Sequence, residues 1–235
     1  MTTRPLLASL FGLGLLLAGQ RVLAAPLSDF TARYEVTRNG SPMGAATLSL
    51  HAEGHGEWVF STDIQGTAGL AALLGASIRQ TSRFRWLGDL PEAISYDYQL
   101  NAAIKHKQSH LQVDWSKNRV TTVEGKERHS YPASPGIVER NTTPLALGLA
   151  LRRGRQHITL PVAVKQEVQT QTFAVVARET VKVPAGTFHA ERVDRTDADR
   201  GFSAWYVPDR YPVPVELSQH DGGTLVMKLV SFTQP

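Results

Sequence analysis

Glu179, His189, Glu191 and Asp194 fall within one short stretch, ARETVKVPAGTFHAERVDRT, running from Ala177 to Thr196. Carboxylates beside a histidine are the equipment of acid–base or metal chemistry. For acid–base work one carboxyl must have a raised pKa in a cleft shared with its partner, and nothing in this spacing demands that. Pro184-Ala185-Gly186 divides the stretch, proline pre-setting one φ and glycine accepting a positive one, which is turn chemistry. Val181 and Val183 share a face of the first strand, and Phe188, Ala190 and Val193 line the return strand. Glu179 and Glu191 then face solvent or pair with Lys182 or Arg192 as ordinary sheet stabilisers. The stretch reads as a hairpin first, and as the machinery of a hydrolase or lyase only second.

Other chemistries lack their parts. His106 and His110 share a face of a predicted strand about 13 Å apart by strand rise, too far for one zinc ion unaided. His51 and His55 flank a glycine turn, but no third or fourth ligand follows at a recognisable spacing. Asp194, Asp197 and Asp199 lack the glycine position and terminal glutamate of a calcium loop. There is no cysteine and no Gly-x-Ser-x-Gly elbow. Ser61, Ser82, Ser95 and Ser203 sit on predicted strands without a histidine placed to activate them. No catalytic residue, metal or cofactor is therefore expected.

The elements that position these residues are mostly strands. Residues 1–24 read as a signal peptide: Arg4 precedes the apolar run Leu6 to Ala18, and Val22-Leu23-Ala24 offers small positions for cleavage after Ala24. That run is short of the about 20 residues a membrane span needs, and without cysteine no lipid can be attached at the cut. The expectation is a soluble periplasmic protein, residues 25–235, forming a single β-rich domain with no transmembrane span. Removing Arg4 and Arg21 leaves 23 basic residues against 21 acidic ones, so there is no footprint for nucleic acid. Lacking disulfides, the fold must rest on core burial.

Alternation of apolar and polar residues marks the strands from Phe30 onward, with Asn39-Gly40 supplying a tight hairpin turn and Asp221-Gly222-Gly223 another. Two helices interrupt them. Gly69 to Gly75 is short, apolar and bounded by glycine. The second has Asn141 or Thr142 as cap, Pro144 in its first turn and leucines to Leu151. Arg152, Arg153 and Arg155 suit its C-terminal dipole. Residues 124–138 read as a long loop. About a dozen strands and two helices imply one large curled antiparallel sheet, open or nearly closed into a barrel, with the helices packed on or plugging it. A two-sheet sandwich is the alternative.

Glu179-Thr180-Val181-Lys182-Val183-Pro184-Ala185-Gly186-Thr187-Phe188, Trp205-Tyr206-Val207-Pro208-Asp209 and Tyr211-Pro212-Val213-Pro214-Val215-Glu216 together resemble domain-of-unknown-function family 3108. Phe30-x-Ala32-x-Tyr34-x-Val36, Ser82-x-Phe84 and Val113-Asp114-Trp115 extend the resemblance from about Phe30 to Phe232. It implies an exported bacterial protein and brings no catalytic residues. A curled sheet with plugging helices is similar, at the level of fold alone, to LolA- and LolB-type periplasmic lipoprotein carriers, and fold does not fix function.

Two surfaces stand out. Arg79, Arg83 and Arg85 share one face of a strand and form a basic stripe suited to an anionic partner, or simply a solvated face. Trp58, Phe84 and Trp86 on adjoining strands, with Leu70, Leu73 and Leu74 of the first helix as a lid, form a candidate apolar ligand site, or simply core. The expected function is a non-enzymatic binding or carrier module for an apolar or amphipathic small molecule or lipid. The alternative is an envelope structural or assembly protein that binds another protein.

Overall fold

The structure, a computed structural model, describes residues 27–198, 201–220 and 223–235. The expected leader at 1–24, Asp199 and the turn residues Asp221 and Gly222 lie outside the described residues. The first half is a meander: β1 (Phe30–Arg38), β2 (Ser41–Gly54), β3 (Glu57–Gly66), helix α1 (Gly69–Leu73), β4 (Ser77–Leu87), β5 (Leu90–Ala102), β6 (Lys105–Asp114), β7 (Arg119–Glu124) and β8 (Glu127–Pro132). There follow β9 (Val138–Glu139), helix α2 (Thr143–Arg152), β10 (His157–Ala163), β11 (Val168–Val183), β12 (Gly186–Arg195), β13 (Phe202–Tyr206), β14 (Glu216–His220) and β15 (Thr224–Thr233). All belong to one 15-stranded sheet in the order β8-β7-β6-β5-β4-β3-β2-β1-β15-β14-β13-β12-β11-β10-β9.

Every ladder is antiparallel except the short parallel pairing of β9 with β10. The sheet curls until its two ends approach, but they do not join as a ladder. Instead the Ala93 N–H donates to Ile137 O at 2.8 Å, the Thr122 hydroxyl to Lys165 O at 2.5 Å, and the Tyr131 hydroxyl to Val164 O. A small apolar cluster of Leu111, Val113, Val120, Tyr131 and Ile137 seals this seam.

Alternation explains the rest. In β1, Phe30, Ala32, Tyr34 and Val36 are buried and the residues between them are half-buried or exposed. Asn39 (φ 49°) and Gly40 (φ 79°) make the positive-φ turn into β2, as the sequence requires.

Helix α2 lies inside the curl. Every residue from Thr143 to Leu151 is buried, which is why it carries no polar face. Its packing is close enough that a Cβ on Gly148 would meet Pro212 O at 2.1 Å. The Tyr206 hydroxyl donates to Pro144 O at 2.9 Å, and that of Tyr34 to Pro214 O at 2.8 Å. Both phenols are thereby satisfied in the core.

Three local expectations need correction. Residues 124–138 are not a loop throughout, because 127–132 form edge strand β8, which buries only Tyr131. The first strand of the 177–196 hairpin is not confined to that stretch: it is the end of one 16-residue strand from 168 to 183, bent by a bulge between Val175 and Ala177. Thr142 makes no side-chain cap on α2. Its hydroxyl donates instead to Glu139 Oε1 at 2.7 Å, and that carboxyl takes over the helix start.

Candidate functional site

A cavity of about 650 Å³ occupies the part of the curl that α2 leaves unfilled, within the about 300–1,000 Å³ range of small-molecule sites. Its inner end is lined by Asn141 and Pro144, at the start of α2, and by Thr62, Phe60 and Tyr34 from the sheet. The walls follow from strand register. Gln80 pairs with Tyr98, Ile78 with Leu100, and Ile64 with Ile78, so their side chains line one continuous face. On β6 the same face runs from Leu111 through Ser109 to Lys107 and Lys105, from buried to exposed. The opening is where Arg38, Lys105 and Lys107 are exposed.

The lining is mixed in chemistry. Leu48, Ile64, Ile78, Leu100 and Met227 give an apolar wall, and Arg38, Lys105, Lys107, Arg140 and Lys165 bring positive charge. Among the described residues Glu124 is the one carboxylate on the lining, and it pairs with Lys107 at 2.9 Å. Lys165 pairs with Glu127 at 2.5 Å, outside the cavity. Among the described residues Lys105 and Arg140 have no carboxylate partner.

A buried polar cluster underlies the inner end. The Asn141 side-chain amide donates to Phe60 O at 3.0 Å and Ser82 Oγ at 2.9 Å, and accepts from Thr62 Oγ1 at 2.7 Å. Glu139, 1% exposed, accepts from the backbone N–H of Asn141 at 2.7 Å and of Thr142 at 3.1 Å. Burial raises its pKa above the ordinary carboxyl value, only partly opposed by those hydrogen bonds. The Tyr96 hydroxyl, donating to Gln80 Oε1 at 2.8 Å, is likewise pushed up, chiefly by burial.

Trp58, Phe84 and Trp86 do come together: Trp58 and Trp86 lie 5.7 Å apart by ring centroids, and Phe84 and Trp86 4.9 Å. They occupy the opposite ends of β3 and β4 from Ile64 and Ile78, and they do not line the cavity. Leu70 and Leu73 of α1 are 68% and 82% exposed, and Leu74 is half-buried. None of the three lines the cavity; they sit beside its mouth.

Arg79, Arg83 and Arg85 face outward, and each holds a carboxylate: Asp63 at 2.7 Å, Glu53 at 2.7 Å and Glu92 at 2.6 Å. In the β11–β12 hairpin Glu191 pairs with Arg178 at 2.9 Å and Asp194 with Arg192 at 2.9 Å. Glu179 accepts from the Trp205 indole, and exposed His189 meets Thr180 at 3.1 Å. These groups face separate partners rather than a shared cleft. No group of three or more metal-ligating side chains occurs among the described residues, and no helix there is long and apolar enough to cross a membrane.

Sequence reasoning missed the cavity lining. Its aromatic members are Tyr34, Phe60, Tyr96 and Tyr98, not tryptophans. The available signal was the inward face of β6, where alternation ends in Ser109, Lys107 and Lys105: an apolar face that turns polar toward one end marks an opening.

No curated protein matches this sequence. A solved structure, a beta-barrel-like protein of the domain of unknown function DUF1849 from Brucella abortus, is similar with a TM-score of 0.50. The alignment covers 89% of this chain and 99% of that one at 10% identity, which speaks for the fold alone. Residues 33–230 match the family described as Protein of unknown function (DUF3108), and on that span, which takes in both helices and nearly all of the sheet, the chain belongs to the DUF3108 family.

Proposed function

We propose that this is an exported, periplasmic binding or carrier module for an amphipathic, lipid-like small molecule, acting without chemistry on it. The observation that carries this reading is the cavity's mixed lining, which sets an apolar wall at Leu48, Ile64, Ile78 and Leu100 beside Lys105 and Arg140, cations without a carboxylate partner among the described residues. An apolar tail would bury against the wall, each well-buried side-chain contact contributing about 1.5–3 kcal/mol. A few such contacts support micromolar binding after the cost of association. An anionic headgroup would meet Lys105 at the mouth. Export rests on the leader pattern of residues 1–24.

A second location for the tail is the Trp58–Phe84–Trp86 cluster, where Trp86 Nε1 is shielded from solvent without a hydrogen-bond partner among the described residues.

A fluorescent fatty-acid probe distinguishes the two. Titrated against the wild type it should saturate, Ile78→Trp should weaken it about tenfold or more by filling the cavity, and Trp86→Ala should leave it unchanged. Weakening by Trp86→Ala with Ile78→Trp silent moves the site to the aromatic cluster. No binding to the wild type ends the carrier reading in favour of a protein-binding envelope role.

A further inference from the structure

The end of the sheet that carries the cavity mouth also carries most of the molecule's misplaced apolar surface. Six large hydrophobic side chains are exposed among the described residues, and Leu70 (68%), Leu73 (82%) and Ile104 (84%) are the three most exposed of them. Leu70 and Leu73 lie on α1, in the connection between β3 and β4, and Ile104 lies in the turn between β5 and β6. The two connections touch: the Ala103 N–H donates to Leu74 O at 2.9 Å. The strand residues just inside them, Ile64, Ile78 and Leu100, line the cavity.

This exposure is built into the backbone. The Thr67 and Ala68 N–H groups donate to Met43 O at 3.1 and 3.2 Å, the Gly66 N–H to Ala76 O at 2.7 Å, and the Ala76 N–H to Ala71 O at 2.9 Å. A Cβ on Gly66 would meet Ala71 O at 2.7 Å, so the loop sits tight on β3 and only glycine allows the approach. Gly69 and Gly75, at φ 56° and 58°, turn the chain at either end. A segment so tightly held could have turned its leucines toward the sheet, yet no α1 residue is buried. Apolar side chains held outward on a fixed frame mark an interaction surface.

Charge says what that surface meets. Lys105 follows Ile104 directly, is exposed, and has no carboxylate partner among the described residues. Lys107 lies one pair further in on the same face, opposite Leu100. Apolar side chains bordered by lysines fit the headgroup boundary of an anionic bilayer, where leucine and isoleucine enter the acyl edge and the ammonium groups stay among phosphates. A protein partner would call for a shaped, hydrogen-bonding surface. Here the exposed side chains of the two connections are aliphatic apart from Thr67.

We infer that Leu70, Leu73 and Ile104 form a docking lip that seats the cavity mouth on an anionic membrane surface, with Lys105 holding the headgroups. Seated so, the cavity opens into lipid rather than water. Docking does not require the cavity to be occupied, so it stands or falls separately from the carrier reading.

The test is co-sedimentation of the protein with vesicles of phosphatidylcholine, with and without phosphatidylglycerol. The wild type should bind the phosphatidylglycerol vesicles, and bind phosphatidylcholine alone far more weakly. Combining Leu70→Ser, Leu73→Ser and Ile104→Ser should reduce binding about tenfold or more. Its melting temperature should not fall, because all three positions are exposed, and its affinity for the fatty-acid probe should be unchanged. The inference is overturned if the wild type ignores anionic vesicles, if it binds both compositions equally, or if the triple variant binds like the wild type. Loss of probe binding by the wild type alone, with vesicle binding intact, sinks the carrier reading and leaves the lip standing.

Discussion

The side-chain amide of Asn141 donates to Ser82 Oγ at 2.9 Å, across 59 residues of chain. Through this bond and those to Phe60 O and Thr62 Oγ1, the start of α2 is fixed to β3 and β4. One amide thus sets how deep the helix sits, and so how much of the curl is left as cavity. Asn141→Ala should leave three buried polar groups short of a partner and cost about 2–4 kcal/mol. Thr62→Ala, which removes one donor to the same amide, should cost less. Urea unfolding of the two variants would check the ranking; equal and negligible losses would show that the network does not hold the helix.

Glu139 gives the fold a pH dependence of unusual sign. Its folded pKa is raised above the ordinary 4.5, chiefly by burial. A raised value means the stability it contributes is fully present below 4.5 and declines as pH rises through the folded pKa. Asp197 behaves oppositely: held at about 2 by Arg195, it contributes stability above 3.8 that is lost on acidification toward 2. The windows do not overlap. In Glu139→Gln the decline above pH 4.5 should shrink to what Glu216, also raised by burial, contributes, while the acid loss remains. Unchanged pH profiles of unfolding free energy for the two proteins would place Glu139's titration elsewhere.

What was legible in the sequence was what repeats locally. Alternation in β1 and the Asn39-Gly40 turn depend on neighbours in the chain, and so do the leucines and Pro144 of α2. Strand β8 was not legible, because Glu127-Arg128-His129-Ser130-Tyr131-Pro132 buries one side chain and has no apolar alternation to show. Nor was the cavity. Its lining comes from strands far apart in sequence, and whether a curled sheet is filled depends on where α2 stops. Asn141 and Thr142 read as alternative helix caps, and only partners 59 to 81 residues away reveal Asn141 as a brace. The aromatic triplet Trp58, Phe84 and Trp86 was found as a cluster, but register puts it at the far end of its strands from the mouth.

Arg79 and Arg85 test how far burial decides the worth of an ion pair. Both point outward from β4, and both hold a carboxylate at hydrogen-bond distance. Asp63 is 35% exposed, so water can replace Arg79, and Arg79→Ala should cost no more than about 0.5 kcal/mol. Glu92 is 2% exposed and also accepts from the Gly136 N–H at 2.8 Å. Arg85→Ala leaves that buried carboxylate without its cation and should cost about 1–3 kcal/mol. Thermal melts of the two variants settle it; equal shifts would mean that Glu92 is relieved by water once the arginine is gone.

Helix α2 offers the sharpest contrast between two kinds of core damage. Leu147 has no exposed surface, and Leu147→Asp would bury a charge with no partner. The side chain would have to stay protonated or draw water inward, and either route should cost several kcal/mol, on the order of 3–5. Gly148→Ala adds one methyl group, yet its Cβ would sit 2.1 Å from Pro212 O and 2.8 Å from Pro212 C. These are backbone atoms and cannot rotate away, so the helix itself must shift off the segment that ends in Val213 and Pro214. Overpacking of this kind costs about 1–3 kcal/mol. The two variants should also differ in what they do to the cavity. A shift of α2 moves Asn141 and Pro144, which line its inner end, so Gly148→Ala should change affinity for the fatty-acid probe even at temperatures where the variant is fully folded. The surface control is Arg152→Ala, because Arg152 at the C-terminal end is the one exposed residue of the helix. Should Gly148→Ala melt like Arg152→Ala and bind probe like the wild type, α2 would be free to slide, and the close approach to Pro212 would not fix its depth.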